Sequence, residues 1–142
     1  MLQYLKNLSM IAAFVGVFLL LGVTQVRARD IIITPVSNIQ AAIDSAVNGD
    51  VVVLKNGTYS GKGNRNISFR GKNITVRSQN GPDNCIIDLQ HSAAGFNLSN
   101  GESAAIIEGL TIISGDSGSS NGGAIFGQNV SFTIKDCIFK YN

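Results

Sequence analysis

Apolar residues recur along this chain in two rhythms. Between Ser37 and Val47 they stand at Ile39, Ala42, Ile43, Ala46 and Val47, the spacing of a helix with one apolar stripe. Ser37 is the expected N-cap, Gln40 three residues on completes a capping box, and Gly49 is the expected stop. A shorter apolar run before the helix, Ile31 to Ile33, reads as a strand closed by Pro35. From Asp50 onward the helical period vanishes. Short runs replace it: "VVVL" at Val51, "ISF" at Ile67, "ITV" at Ile74, "CIIDL" at Cys85, "FNL" at Phe96, "AIIEGLTII" at Ala105, "GAIF" at Gly123 and "VSFTI" at Val130. Gly, Asn, Asp and Ser clusters bound each run, as they bound strands. Alternation puts Ile67 with Phe69, Ile74 with Val76, and Phe96 with Leu98 on one side of a sheet.

One phrase returns: "NITVRSQ" from Asn73, "GLTIISG" from Gly109 and "DCIFKYN" from Asp136. The intervals, 36 and 27 residues, fall in the range of solenoids built from one supersecondary unit per repeat. An antiparallel sandwich also shows many short strands, but its strands run to five or six residues and its hairpin turns are tight. Runs of three or four residues separated by connections such as "SGDSGSSNGG" fit a coil of short strands stacked in parallel on the next coil. Each coil then advances the axis by about 4.8 Å. The stripe from Ser37 to Val47 acquires a role in this arrangement. It covers the open apolar end and bare strand edges of the first coil.

The first residues stand apart. Lys6 is followed by an apolar run from about Met10 to Val23, too short for the roughly 20 residues of a bilayer span. Val26 and Ala28 then sit three and one residues before a cut after Ala28, the layout of a secretory signal peptide over residues 1–28. Residues 29–49 form the entry strand and helix, and 50–142 the coils. Past Ala28, nine basic residues balance nine acidic ones, which gives no reason to expect nucleic acid as a partner. Cys85 and Cys137 allow a disulfide in an exported chain. Both also lie inside strand phrases, which favours burial as small apolar side chains.

The stretch "SNIQAAIDSAVNGDVVVLKNGTYSG" resembles the entry of right-handed parallel β-helix proteins of the pectate-lyase-like superfamily. There an apolar helix leads to Gly-Asp, a Val run and a "GTY" turn. Gly122-Gly123-Ala124-Ile125 and Phe139-Lys140-Tyr141-Asn142 are similar to the "GGAI" and "FxxN" repeats of polymorphic outer-membrane proteins. The expected fold is therefore an all-β, right-handed parallel β-helix of two and a half to three coils. Its N-terminus carries an amphipathic cap. No cap phrase closes the C-terminus, so a truncated or N-terminal piece of a longer β-helix is expected.

Chemistry is sparse. His91 in "LQHSAAG" stands beside a turn and reads as a surface residue, and no zinc-type Cys/His spacing or G-x-S-x-G elbow occurs. The acids are scattered. Repeat offsets set residue 135, rather than Asp136, against Glu108, so alternation predicts opposite faces for the two carboxylates. No catalytic residue, metal ligand or cofactor site is assigned. The basic run between Asp50 and Asp83 (Lys55, Lys62, Arg65, Arg70, Lys72 and Arg77) contains no acid. It is either a contact for an anionic ligand or a set of solvated turn residues. Asn56, Asn66, Asn73, Asn97 and Asn129 head Asn-x-Ser/Thr triplets but are read as corner residues. The expected function is an exported or cell-surface β-helix module, non-catalytic, binding a glycan or partner protein. Any membrane link runs through the signal segment or through missing C-terminal regions. The rival is the N-terminal portion of a polysaccharide lyase or hydrolase.

Overall fold

The computed structural model describes residues 27–116, 118 and 123–142. The segment read as a signal peptide lies outside them, apart from Arg27 and Ala28. Its strands are short, as the three- and four-residue runs require: β1 (Asp30–Ile33), β2 (Val51–Leu54), β3 (Gly57–Ser60), β4 (Thr75–Ser78), β5 (Cys85–Asp88), β6 (Phe96–Leu98), β7 (Ala105–Glu108), β8 (Thr111–Ile113), β9 (Ile125–Gly127), β10 (Phe132–Lys135) and β11 (Ile138–Lys140). They form three sheets, ordered β1-β2-β4-β7-β10, β3-β5-β8-β11 and β6-β9. Every pairing is parallel. The chain is thus a parallel β-solenoid of about three coils, each coil visiting all three sheets.

The register stacks like on like. Inward positions of the first sheet form the column Ile31, Val52, Val76, Ile107 and Ile134. The second sheet stacks Tyr59, Ile87, Ile112 and Phe139. In the third, Ile67 bridges to Phe96, which pairs with Ile125. Phe69 meets Phe96 edge-to-face with ring centroids 5.9 Å apart. The middle rungs are sealed, but Ile134 and Phe139 on the last coil are each 43% exposed. A rung is buried only when something covers both its sides; Tyr59 on the edge strand β3 is sealed, while the last coil's rung is not.

The recurring phrase is only partly one unit. Thr111 pairs with Ile138, so the phrases at Gly109 and Asp136 are true equivalents, one coil apart. The phrase at Asn73 builds β4 in a different sheet, where it aligns with β7. Its class pattern matched because every wall of the coil needs the same alternation. Two other expectations are corrected. The run "AIIEGLTII" breaks into β7 and β8 at Gly109, whose φ of 66° turns the chain and whose added Cβ would meet Ser78 Oγ at 2.6 Å. "GTY" is strand rather than turn. Tyr59 is buried there, donating to the carbonyls of Ile33 at 3.1 Å and Lys55 at 3.0 Å.

The helix α1 spans Ile39–Ser45, shorter at both ends than expected. Its N-cap is Asn38, not Ser37, because the Asn38 side chain accepts from the Ala41 N–H at 3.0 Å. Ser37 instead closes a turn back to Thr34. Gln40 makes no capping box. It bonds Ser68 twice, accepting from the N–H at 2.8 Å and donating to the carbonyl at 3.0 Å, and so pins the first coil to the helix. Buried Asn64 accepts from the Ile39 N–H at 2.8 Å. Ile39, Ala42, Ile43 and Ala46 enter the core, whereas Val47 is outside the helix and exposed. The cap on the first coil is therefore as expected in kind.

Corners carry the polar accounting. Asn80 donates to Asn56 at 2.8 Å, and Asn73 Oδ1 accepts from the N–H groups of Ser103 and Ala104 at 2.9 Å each. Asn66 and Asn129 adopt positive φ. Asn56, Asn66, Asn73 and Asn129 are corner residues, as read, while Asn97 lies within β6. Glu102, buried, takes the N–H groups of Gly71 and Asn100 at 2.9 Å each. Asp50 is buried where the helix exit meets β1. The Val47 N–H, with Arg29's backbone N–H and guanidinium, holds its carboxyl below the usual range against the opposing cost of burial.

Two outcomes follow from this packing. Phe96→Ala removes a fully buried ring and should cost about 3–5 kcal/mol, while Phe139→Ala on the open rung should cost far less; denaturant midpoints measure both. Asp50 has a depressed folded pKa. Its contribution is complete above the unfolded value of about 4 and is lost as pH falls below that through the folded value. Asp50→Asn should flatten the loss of stability in that acid range, read from denaturant unfolding at stepped pH.

Candidate functional site

The coil corner after β3 returns under α1 and leaves a cleft of about 580 Å³. The helix contributes Asn38, Gln40 and Asp44, and the corner contributes Lys62, Arg65, Asn66, Ser68 and Arg70. The corner folds this way because residues 61–71 are rich in Gly and Asn. Gly61, Gly63 and Gly71 all take positive φ, as do Asn66 and Arg70. Gly63 lies against the Asn38 side chain so closely that a Cβ would overlap its amide. The bend thus brings three cations of the basic run to one opening.

The six cations of that run separate into distinct roles. Lys62 and Arg65 carry no ion pair among the described residues, and Arg70 Nε lies 3.3 Å from Asp44 Oδ1 across the cleft. Lys72 is structural. Its Nζ donates to the carbonyls of Ile43 at 2.8 Å and Asp44 at 2.9 Å, closing the C-terminal end of α1. Arg77 belongs to β4 and faces Asp30 at 3.7 Å. Lys55 is exposed at the turn between β2 and β3. One contiguous basic face over all six does not form. Three gather, and three are placed elsewhere by the turn of the coil.

The acids also separate. Glu108 is in register with Lys135 and bonds its Nζ at 2.8 Å, as the repeat offset implied. That bond raises the Lys135 pKa, with the Glu108 charge adding to it. Alternation fails one residue later. Asp136 has φ of 50°, and it lines the same small cavity of about 220 Å³ as Glu108 and Arg77. Among the described residues no three His, Cys, Asp or Glu side chains converge as a metal set would require. His91 lies exposed at a corner with φ of 49°. Cys85 and Cys137 are both free thiols, Cys85 buried and Cys137 half-buried. Burial pushes Cys85 up to about 12 and raises Cys137 as well, so neither is a ready nucleophile.

The cleft presents two unpaired cations, one paired cation, and amide and hydroxyl groups, a set suited to charge-assisted hydrogen bonds with an anion. The PL6-family alginate lyase AlyGC shares this fold. A mutant of that protein matches 81% of this chain with a TM-score of 0.59 at 22% sequence identity. This chain spans 18% of the alginate lyase's length. No family model and no curated protein matches the chain.

The tetrapeptides singled out earlier have structural roles here. Asn142 sits one coil beyond Gly115, accepting from its N–H at 2.8 Å and donating to the Ile112 carbonyl at 2.9 Å. A Cβ on Gly123 would meet the Gly115 carbonyl at 2.7 Å. Gly123 and Asn142 are thus fitted to the close approach of stacked corners in this chain. The sequence had placed the cations on one stretch of chain. It did not reveal Asp44, Asn38 or Gln40 as their companions, because those come from the helix more than 15 positions upstream.

If Lys72 serves the helix and Lys55 serves only solvation, Lys72→Met should lower stability by about 1 kcal/mol. Lys55→Met should stay within about 0.5 kcal/mol of the parent. Thermal and denaturant unfolding of the two variants decide this.

Proposed function

We propose that this chain is the N-terminal capped portion of an exported β-helix protein that acts on an acidic polysaccharide, and that the cleft beside α1 holds part of the polyanion. The observation that carries this reading is the gathering of Lys62, Arg65 and Arg70 at one polar opening, on a fold that an alginate lyase also uses. Carboxylates along a polyuronate pair with guanidinium and ammonium groups, and the neighbouring Asn38 and Asn66 amides bond sugar hydroxyls. The comparisons give adhesion or a non-catalytic stalk no support, and the lyase-type alternative takes precedence over that first expectation. No residue described here is given a catalytic role. The cap and first coils supply a rigid, closed end and a binding surface. Export is part of the proposal and rests on the leader-like layout of residues 1–28.

The test is affinity electrophoresis of the full chain in gels cast with alginate, polygalacturonate or neutral dextran. Retardation by the two polyuronates, and not by dextran, is expected. Raising the salt should weaken it, because exposed charges are screened within about 8–10 Å. The double variant Lys62→Glu, Arg65→Glu should lose at least about tenfold in affinity, or roughly 1.4 kcal/mol. Equal mobility in all three gels would remove the polyuronate reading. An absorbance assay for unsaturated uronide on the same samples separates binding from cleavage.

A further inference from the structure

Asp50 is fully buried, yet all its partners come from two short segments. Its Oδ1 accepts from the backbone nitrogen of Arg29 at 3.1 Å. Its Oδ2 accepts from Arg29 Nε at 3.0 Å and from the Val47 N–H at 2.9 Å. Arg29 is held by its other groups as well. Its carbonyl accepts from the Val51 N–H at 3.0 Å, and its guanidinium donates to the Ser45 carbonyl at 2.7 Å. The backbone nitrogen aimed at Asp50 is the nitrogen of the Ala28–Arg29 peptide bond. Residues 27 to 30, on either side of that bond, are all exposed. It is also the bond that Val26 and Ala28 mark for removal of a leader.

We propose that Ala28–Arg29 is a processing bond, and that the α-ammonium freed by its hydrolysis docks on the buried Asp50 carboxylate and locks the helical cap. A leader-removing peptidase supplies the catalysis and water is the co-reactant. The Ala28 C–N amide bond breaks. The water oxygen goes to the Ala28 acyl carbon, which leaves as a carboxylate, and the Arg29 nitrogen gains protons to become –NH₃⁺. Nothing need move, because the nitrogen already stands 3.1 Å from Oδ1. A neutral amide donor becomes a charged one, and charge-assisted bonds are roughly twice as strong as neutral ones. The precursor therefore has a weaker cap than the product, and the fold tightens only after the leader is gone. The proposal does not depend on what the cleft binds.

The ammonium gains a buried anionic partner, so its pKa rises above the ordinary value of about 8. Its contribution is complete below that value and is lost as pH climbs through the raised one. The other charges on the elements packed here are the Arg29 guanidinium, Asp30 with Arg77 along β1 and β4, and Lys72 at the end of α1.

The test expresses the full chain in an exporting bacterial host and reads the N-terminus of the exported product by mass spectrometry. Arg29 is the expected first residue. A second full chain carries Gly-Ser inserted between Ala28 and Arg29, which keeps an amide at the Arg29 nitrogen after processing. At pH 6 the Arg29 product should melt higher by roughly 4 °C, the order of one charge-assisted bond. The gap should close above about pH 10 and in an Asp50→Asn background. A first residue other than Arg29, equal melting of the two products, or a gap that survives Asp50→Asn overturns the proposal. Should the Asp50→Asn chain fail to fold, the α-ammonium is titrated by NMR in the parent, and a pKa at or below about 8 overturns it alone.

Discussion

Every strand here finds its backbone partners one coil away, and the one pair consecutive in sequence, β1 and β2, has α1 between its members. That parallel hydrogen bonding is what the rest of the structure depends on. It sets the register, and the register stacks Val52 on Val76 on Ile107, and Tyr59 on Ile87 on Ile112. Each inward side chain of the middle rungs is then enclosed by the same position above and below, worth about 1.5–3 kcal/mol for each fully buried aliphatic or aromatic side chain. The outward positions are coupled by the same register. Arg77, Glu108 and Lys135 lie in line on the first sheet and alternate in charge.

A stack held this way has an end problem, and this chain treats its two ends differently. At the start, α1 closes the core with Ile39 and Ile43, and Gln40 imitates a strand partner by bonding both backbone groups of Ser68. Lys72 and Asp50 tie the helix exit to the coil below. At the other end, β10 and β11 present edges and a partly open rung. Corner asparagines and Glu102 do for the turns what the strands do for the walls. No buried side-chain nitrogen or oxygen among the described residues lacks a partner.

Much of this was legible in the residues. The helix stripe, the strand runs from Val51 onward and the Asn- and Gly-rich corners each follow from local patterns, and the parallel coil follows from runs too short for hairpins. The phase of the repeat was not legible. "NITVRSQ" looked like a copy of "GLTIISG" because all walls of a coil share one alternation of apolar and polar positions. Only pairing shows that they face different ways. The N-cap was misplaced by one residue because Ser37 and Asn38 are both good caps. The turn back to Thr34 takes Ser37 out of position.

The sequence by itself determined the class of fold, the covered end and the identity of the charged stretch, since all three rest on periodicity and composition within a few residues. Only the tertiary structure decided which cations work together. Lys62, Arg65 and Arg70 meet Asp44 and Asn38 because the corner folds back under the helix. Lys72 and Arg77, only a few residues on, are drawn off to a helix end and a strand face. Nearness across stacked coils depends on where each corner bends, and that is a property of the closed coil and not of any short stretch of chain.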